Sequence, residues 1–365
     1  MPAISIQSPY RSLERALTGE PRPIQGGRVP VILVLLAALA LLLGGCGSST
    51  GGPGTISKGA PLAHPTPATL VLDFEPNAVH AGIYRALAAG YYRAENLRLT
   101  VLQPAATADP LTLVQAGRAQ FGLADGSDLA GAIARGGDAQ AILAIAQRPL
   151  GGLIALASER LTSPAQLQGR SVGITGVPSD EAVVRTEVAH AGGDPRKVHV
   201  LDAGFNGAQA LLAGRIQAFT GFIPADGVAL QVAGHPITAF PLDAWGGPPY
   251  PGLVAFATRR LIASDPALVR AFIAATLRGY DDTLADPARS LEDLLQANPS
   301  LSPSLTTASL DAYLPLFTDS GRVPFGTLRP GPLEALSRWM LSNRLTARPV
   351  SPARYAARGL LPAGR

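Results

Sequence analysis

A strand-and-helix pattern that alternates, restarts and then turns wholly helical constrains this chain more than any other feature. Short β-rich runs at Thr69–Phe74, Leu97–Leu102, Phe121–Ala124, Ala141–Gln147 and Gly152–Ser158 are separated by helical stretches. In His80–Gly90, for example, Ile83 and Leu87, with Tyr91 beyond, fall at helical spacing. The alternation begins again after Ser163-Pro164, with strands at Ser171–Thr175, Val198–Leu201, Ala218–Phe222, Pro236–Phe240 and Leu253–Thr258. Beyond them the pattern is helical only: Pro266–Ala285, Ser290–Leu295, Ser304–Phe317 and Pro332–Leu341. This order predicts an α/β fold with largely parallel sheets, built as two lobes between which the chain crosses twice. Crossings near Ala157–Thr162 and in the breaker-rich Trp245–Gly252 set the expected boundaries. The first lobe then holds residues 68–160 and 249–365, the latter with the C-terminal helices, and the second holds 161–248. A cleft between such lobes gathers strand ends and helix N-termini and is the default ligand site.

Ahead of the first strand, Val29–Leu43 carries no charge, follows Arg22 and Arg28, and runs into Gly44-Gly45-Cys46. This run is shorter than the roughly 20 residues that span a bilayer and suits a secretory h-region. Apolar run, small residues and cysteine together resemble a bacterial lipobox. That implies a signal peptide of residues 1–45, lipidation of Cys46, and an extracytoplasmic protein anchored to the cell membrane. Residues 47–67 are rich in Gly, Ser, Thr and Pro, so 46–67 reads as a flexible tether. Of 30 basic and 26 acidic residues, the signal segment removes four Arg and two Glu, leaving a mature charge of +2. No Lys/Arg cluster stands out, so nucleic acid is not an expected partner. The lone cysteine excludes an intrachain disulfide, and the five scattered His form no metal-ligand spacing. No metal and no cofactor is expected. Nucleophile triads, carboxylate pairs and P-loop patterns are absent too, which points to a monomeric binding protein rather than an enzyme.

The segment Leu72-Asp73-Phe74-Glu75-Pro76-Asn77-Ala78-Val79-His80-Ala81-Gly82-Ile83-Tyr84, followed by Gly90-Tyr91-Tyr92 and Asn96-Leu97, carries a family resemblance. It resembles the opening of the substrate-binding proteins for sulfonates, nitrate and thiamine-pyrimidine precursors. Further marks are Gly117–Gly122, Leu167–Gly173, Leu212–Ala218, Gly221-Phe222 with Asp226-Gly227-Val228, and Asp265–Phe272. The resemblance covers about residues 68–300, and its PNxxHxGxY form is most like the pyrimidine-precursor branch. It implies a type II periplasmic-binding fold, a hinged cleft and an ABC permease as membrane partner. The implied ligand is a small flat polar molecule such as a thiamine pyrimidine precursor; an aliphatic sulfonate, a nitrate-like anion or another aromatic compound is the alternative. The same branch contains a fungal enzyme that builds the pyrimidine from its own His and a pyridoxal phosphate held on Lys. In the matching segment Leu123–Leu129 those places hold Ala124 and Asp128, so that chemistry lacks its amine.

Candidate ligand residues follow from strand ends and from this resemblance. Phe74 stands where the family usually has Trp, placed to stack on a heteroaromatic ring or to pack as core. Asn77 and His80 lie in the loop and first turn after the first strand, facing a cleft or capping the turn. Tyr84 reads as packing. Asp125 suits a cationic or amino group, while Ser127 is a ligand contact or a helix cap. Gly173–Ser179 resembles a small anion cradle that would bring in Ser179, yet Asp180 and Glu181 already compensate that helix dipole. Asp226 occupies the place where pyrimidine-binding relatives carry a Glu for the ring amino group, with a helix cap as its other reading. Tyr250 offers a second aromatic face, and Trp245 packs the hinge.

Overall fold

The computed structural model describes residues 60–105 and 109–361; the apolar run, Cys46 and residues 46–59 of the expected tether lie outside them, whereas its last residues, Thr66 and Pro67, already pair in the first strand and Leu62 is hydrogen-bonded to Glu95 and Asn96. Among the described residues no helix is long and apolar enough to cross a membrane. Ten strands appear where ten are expected: β1 (Thr66–Val71), β2 (Leu97–Leu102), β3 (Phe121–Asp125), β4 (Gln140–Ala146), β5 (Gly151–Leu156), β6 (Ser171–Ile174), β7 (His199–Asp202), β8 (Ala218–Phe222), β9 (Ile237–Pro241) and β10 (Leu253–Ala257). They form two five-stranded sheets, ordered β2-β1-β3-β10-β4 and β7-β6-β8-β5-β9. In the first, β1 pairs in parallel with β2 and β3, while β10 runs antiparallel between β3 and β4. The second repeats the plan: β6 is parallel to β7 and β8, and β5 is antiparallel between β8 and β9. Each sheet is therefore completed by the strand that follows a crossing.

The first crossing falls earlier than the expected Ala157–Thr162. β5 is hydrogen-bonded into the second sheet, so the chain changes lobes at Gln147–Leu150 and Gly151–Glu159 belongs to the second lobe. An apolar run buried on both faces reads alike in either sheet, which is why the sequence pattern alone misplaces it. The return runs from Leu242 to Gly252, between β9 and β10.

Helix starts are set by side-chain caps. Asp265, Asp286 and Ser302 each accept a hydrogen bond from a first-turn N–H, and each is followed by a proline at the first helical position. The helices they open are Pro266–Ala285, Pro287–Ala297 and Pro303–Phe317. The first sheet is covered on one face by Ala81–Ala88, Pro266–Ala285 and Pro303–Phe317, around Phe121, Phe272 and Tyr280. Phe121 and Phe272 stack there with ring centroids 4.0 Å apart. Its other face buries Phe256 beneath Leu129, Trp339 and Met340. The second lobe has thinner cores, Leu153, Val184 and Phe240 on one side of its sheet and Ile154, Leu211 and Phe219 on the other.

Helices Ala81–Ala88 and Pro266–Ala285 cross at a pair of glycines. A Cβ on Gly279 would stand 2.0 Å from the Gly82 carbonyl oxygen, and one on Gly82 would lie 2.4 Å from the Tyr280 ring. Alanine at 279 gains about 1 kcal/mol of helix propensity, against an overpacking cost near the upper end of about 1–3 kcal/mol because the obstructing atom is backbone. Gly279→Ala is expected to lose about 2 kcal/mol net, read as a lower urea midpoint with an unchanged slope.

Candidate ligand cleft

Five parallel strands of the two sheets deliver their C-terminal ends into one cleft of about 150 Å³ between the lobes. The loop after β1 supplies Asp73, Phe74 and Asn77, and β3 with helix Gly126–Ala134 supplies Asp125, Ser127 and Asp128. From the second lobe come Thr175, Ser179 and Asp180 after β6, Phe205 after β7, and Thr220, Phe222 and Asp226 at β8 and the π-helical turn Ile223–Gly227. Tyr250, from the return crossing, closes one side. The lobes meet across this space. Phe74 and Phe205 touch edge to face with centroids 4.7 Å apart, and Ser179 Oγ donates to Asp128 Oδ1 at 2.5 Å. Behind the cleft, Trp339 Nε1 donates to Thr186 Oγ1 at 2.9 Å.

Acidity dominates the lining. Asp73, Asp125, Asp128, Asp180 and Asp226 all face the cleft, and among the described residues that line it none is Arg, Lys or His. Burial pushes the Asp125 and Asp128 carboxyls above the usual range, and Asp125 is raised further by repulsion from Asp128. Asp128 is partly relieved by its bond from Ser179 and by Arg135 on the same lobe. Burial likewise lifts Asp180 to about 7, despite hydrogen bonds from Thr175, and Asp226 to about 6, despite the bond from the Phe222 N–H. A carboxyl in such a place is costly to ionise, and a cation beside it favours the charged form.

The residues singled out from sequence are placed as follows. Phe74, Asn77, Asp125, Ser127, Ser179, Asp226 and Tyr250 all line the cleft, whereas His80 does not. His80 is fully buried, its Nε2 2.9 Å from Asp73 Oδ1 and its Nδ1 accepting the Asn77 N–H at 3.1 Å. That pattern puts the ring proton on Nε2. Asn77 caps the same turn, accepting from Val79 N and donating to the Glu75 carbonyl, so its polar atoms serve the loop. The Ser127 hydroxyl donates to Asp125 Oδ1, which also caps the helix through Ser127 N. Tyr250 stacks on Trp339 at 6.4 Å. The anticipated anion cradle is filled from within: Asp180 accepts from Thr175 N and Oγ1, leaving no room for a second acid.

Among the lining residues that the sequence alone does not mark as contacts are Asp73, Asp128, Asp180 and Phe205. Asp73 and Phe205 each lie in the loop after a parallel strand, and Asp128 and Asp180 each lie in the first turn of a helix following one, the signal that could have found them.

Two α/β lobes of this strand order, meeting over a cleft built from strand ends, define a periplasmic-binding-protein fold. The NMT1/THI5 like family matches residues 77–290, and the chain belongs to that family. It is 30% identical to the formylaminopyrimidine-binding protein of Halalkalibacterium halodurans, over 77% of this chain and 86% of that relative. It is 29% identical to the 4-amino-5-hydroxymethyl-2-methylpyrimidine phosphate synthase of Legionella pneumophila, over 68% of this chain and 79% of the relative. Among solved structures, the alkanesulfonate-binding protein SsuA of Xanthomonas axonopodis, bound to MOPS, superposes with a TM-score of 0.61 at 17% identity, over 79% of this chain and 96% of that one.

Proposed function

We propose that this protein is the extracytoplasmic solute-binding component of an ABC importer, anchored through lipidated Cys46, and that it captures a flat, amine-bearing heterocycle of the pyrimidine-precursor class. The observation that carries this reading is the charge of the cleft: five carboxyls and no basic side chain among its described lining residues. A sulfonate or nitrate finds no positive side chain there to balance its charge, whereas an exocyclic amine and ring nitrogens find acceptors and, on the raised carboxyls, donors. Kinship with a formylaminopyrimidine-binding protein supports the same ligand class. Phe74 and Phe205 supply apolar faces for the ring at the cleft mouth. Capture works by closure: a ligand touching both lobes favours the closed arrangement by its differential contacts alone.

The synthase reading is disfavoured by the absence of an amine at the site. The chain has only two lysines, Lys58 and Lys197, and the cleft wall carries Ala124 and Asp128 where the fungal enzyme would need Lys and His. A Schiff base needs such an amine. Thermal unfolding of the chain from Gly47, which carries every described element, tests the proposal. 4-Amino-5-hydroxymethyl-2-methylpyrimidine and its formylamino analogue are expected to stabilise it, by about 2.7 kcal/mol at one hundred times Kd, while alkanesulfonates and nitrate leave it unchanged. Stabilisation by sulfonates alone would overturn it.

A further inference from the structure

The Asp125–Asp128–Asp180 cluster is shared between the lobes: two carboxyls come from the start of helix Gly126–Ala134 and one from the start of helix Pro178–His190. Each has one oxygen committed to the protein. Asp125 Oδ1 accepts from Ser127, Asp128 Oδ1 from Ser179, and Asp180 Oδ2 from Thr175. The second oxygens of Asp125 and Asp128 have no hydrogen-bond partner among the described residues, and the Thr220 hydroxyl stands beside Asp180. Thr220 lines the same space: it is 4% exposed, and its Oγ1 has no partner in good hydrogen-bond geometry, with Asp180 the polar group beside it. A buried hydroxyl without a well-placed partner, beside these carboxyls, marks a place that something else completes.

The surrounding charges do not complete it. Arg135, exposed just past helix Gly126–Ala134, is the basic group that acts on Asp128 among the described residues. The remaining titratable neighbours are Tyr250 and Tyr355, whose hydroxyls burial keeps protonated, and the carboxyls Asp73 and Asp226. Tyr355 donates to the Gly126 carbonyl and is already committed. Ionised and empty, the three carboxyls repel one another across the lobe boundary and oppose closure.

Resting on the importer reading above and deepening it, we infer that the cleft takes its ligand as a cation, with the positive nitrogen held between Asp125 and Asp128 of the first lobe and Asp180 of the second. The ligand charge removes the cross-lobe repulsion, so charge recognition and closure are one event. Thr220 Oγ1 serves as an additional acceptor for the ligand's N–H groups. A neutral molecule of equal outline fills the space without compensating the carboxyls, and an anion is excluded.

Calorimetric titration with three probes of similar outline tests this: 4-aminopyridine, a cation near neutral pH; aniline, neutral there; and benzoate, an anion. The chain from Gly47 is expected to bind 4-aminopyridine at least about tenfold more tightly than aniline, the worth of one charge-assisted hydrogen bond, and benzoate not at all. In the Asp128→Asn/Asp180→Asn double variant this preference is expected to vanish. Asparagine keeps the acceptors for Ser179 and Thr175, and Asp125→Asn gives a second route should the double variant fold poorly. Equal binding of the cationic and neutral probes, no binding of 4-aminopyridine, or a preference retained in the variants overturns the inference. The two readings separate with 4-amino-5-hydroxymethyl-2-methylpyrimidine. If only the aminopyridine binds, with its charge preference, the pyrimidine reading falls and the cation site stands. If the pyrimidine binds parent and variants alike while the probes show no preference, the reverse holds.

Discussion

His80→Ala is expected to cost about 3 kcal/mol or more of stability, far more than a ligand contact would. The ring is completely buried, and both nitrogens are engaged: Nε2 with Asp73 Oδ1, Nδ1 with the Asn77 N–H. Asn77 returns the arrangement by accepting from Val79 N, so the turn Ala78–His80 is closed by a reciprocal cap. Deleting the imidazole removes two hydrogen bonds of about 1–3 kcal/mol each, the larger one to a carboxylate, and opens a cavity in a close-packed core. Asp73, which faces the cleft, also loses the donor that orients it. Urea unfolding of the ligand-free chain should therefore show the main loss, with ligand affinity falling only as far as Asp73 drifts. His80→Asn, keeping a donor and an acceptor on a smaller frame, is expected to recover part of the stability. Unchanged stability with abolished binding would instead make His80 a ligand contact.

His80 shows why the fold was legible in this sequence and the site only partly so. Alternation of short β-rich runs with helical spacing fixes the ten strands to within a few residues, because periodicity is a local property. What a side chain does at a strand end depends on its neighbours in space. His80 and Asn77 could cap or bind; the structure has both cap, since the turn after β1 folds back on itself and the Tyr280 hydroxyl clamps it through the Val79 carbonyl at 2.7 Å. By sequence Asp180 compensates a helix dipole, and it does sit in that first turn. Only the three-dimensional arrangement brings it opposite Asp125 and Asp128, more than fifty residues earlier. Phe205 is the plainest case. An exposed aromatic in Gly204-Phe205-Asn206 has no local pattern, and its role emerges only when Phe74 of the other lobe meets it. The early crossing has the same origin: β5 is apolar throughout, so the pattern cannot say which sheet it enters.

Glu187→Met is expected to stabilise the protein by about 1–3 kcal/mol, the desolvation cost recovered when a buried, unsatisfied group is removed. Glu187 lies on helix Pro178–His190, fully buried, and neither carboxyl oxygen has a partner in good hydrogen-bond geometry among the described residues, the Leu153 backbone N–H being the donor beside it. Around it stand Leu153, Val184, Val188 and Phe240 of the second-lobe core, and methionine matches both the volume and the helical preference of the site. Burial raises this carboxyl well above its ordinary range against the opposing pull of the Leu153 backbone N–H, and the nearby Asp243 adds to the rise. Arg148 offers no relief, since it is paired with Asp243 and Asp319 at the hinge. Below about pH 4.3 the folded and unfolded chains both keep this proton, so parent and variant should differ little. As pH rises, the unfolded chain releases the proton while the folded one retains it. The native state then binds more protons, and the parent loses stability relative to Glu187→Met by up to about 1.4 kcal/mol per pH unit. The gap is expected to widen from acid toward neutral pH, whereas a gain from packing alone would be constant. Unfolding curves of the two proteins that coincide at every pH would show that Glu187 has a partner in solution and would sink the prediction.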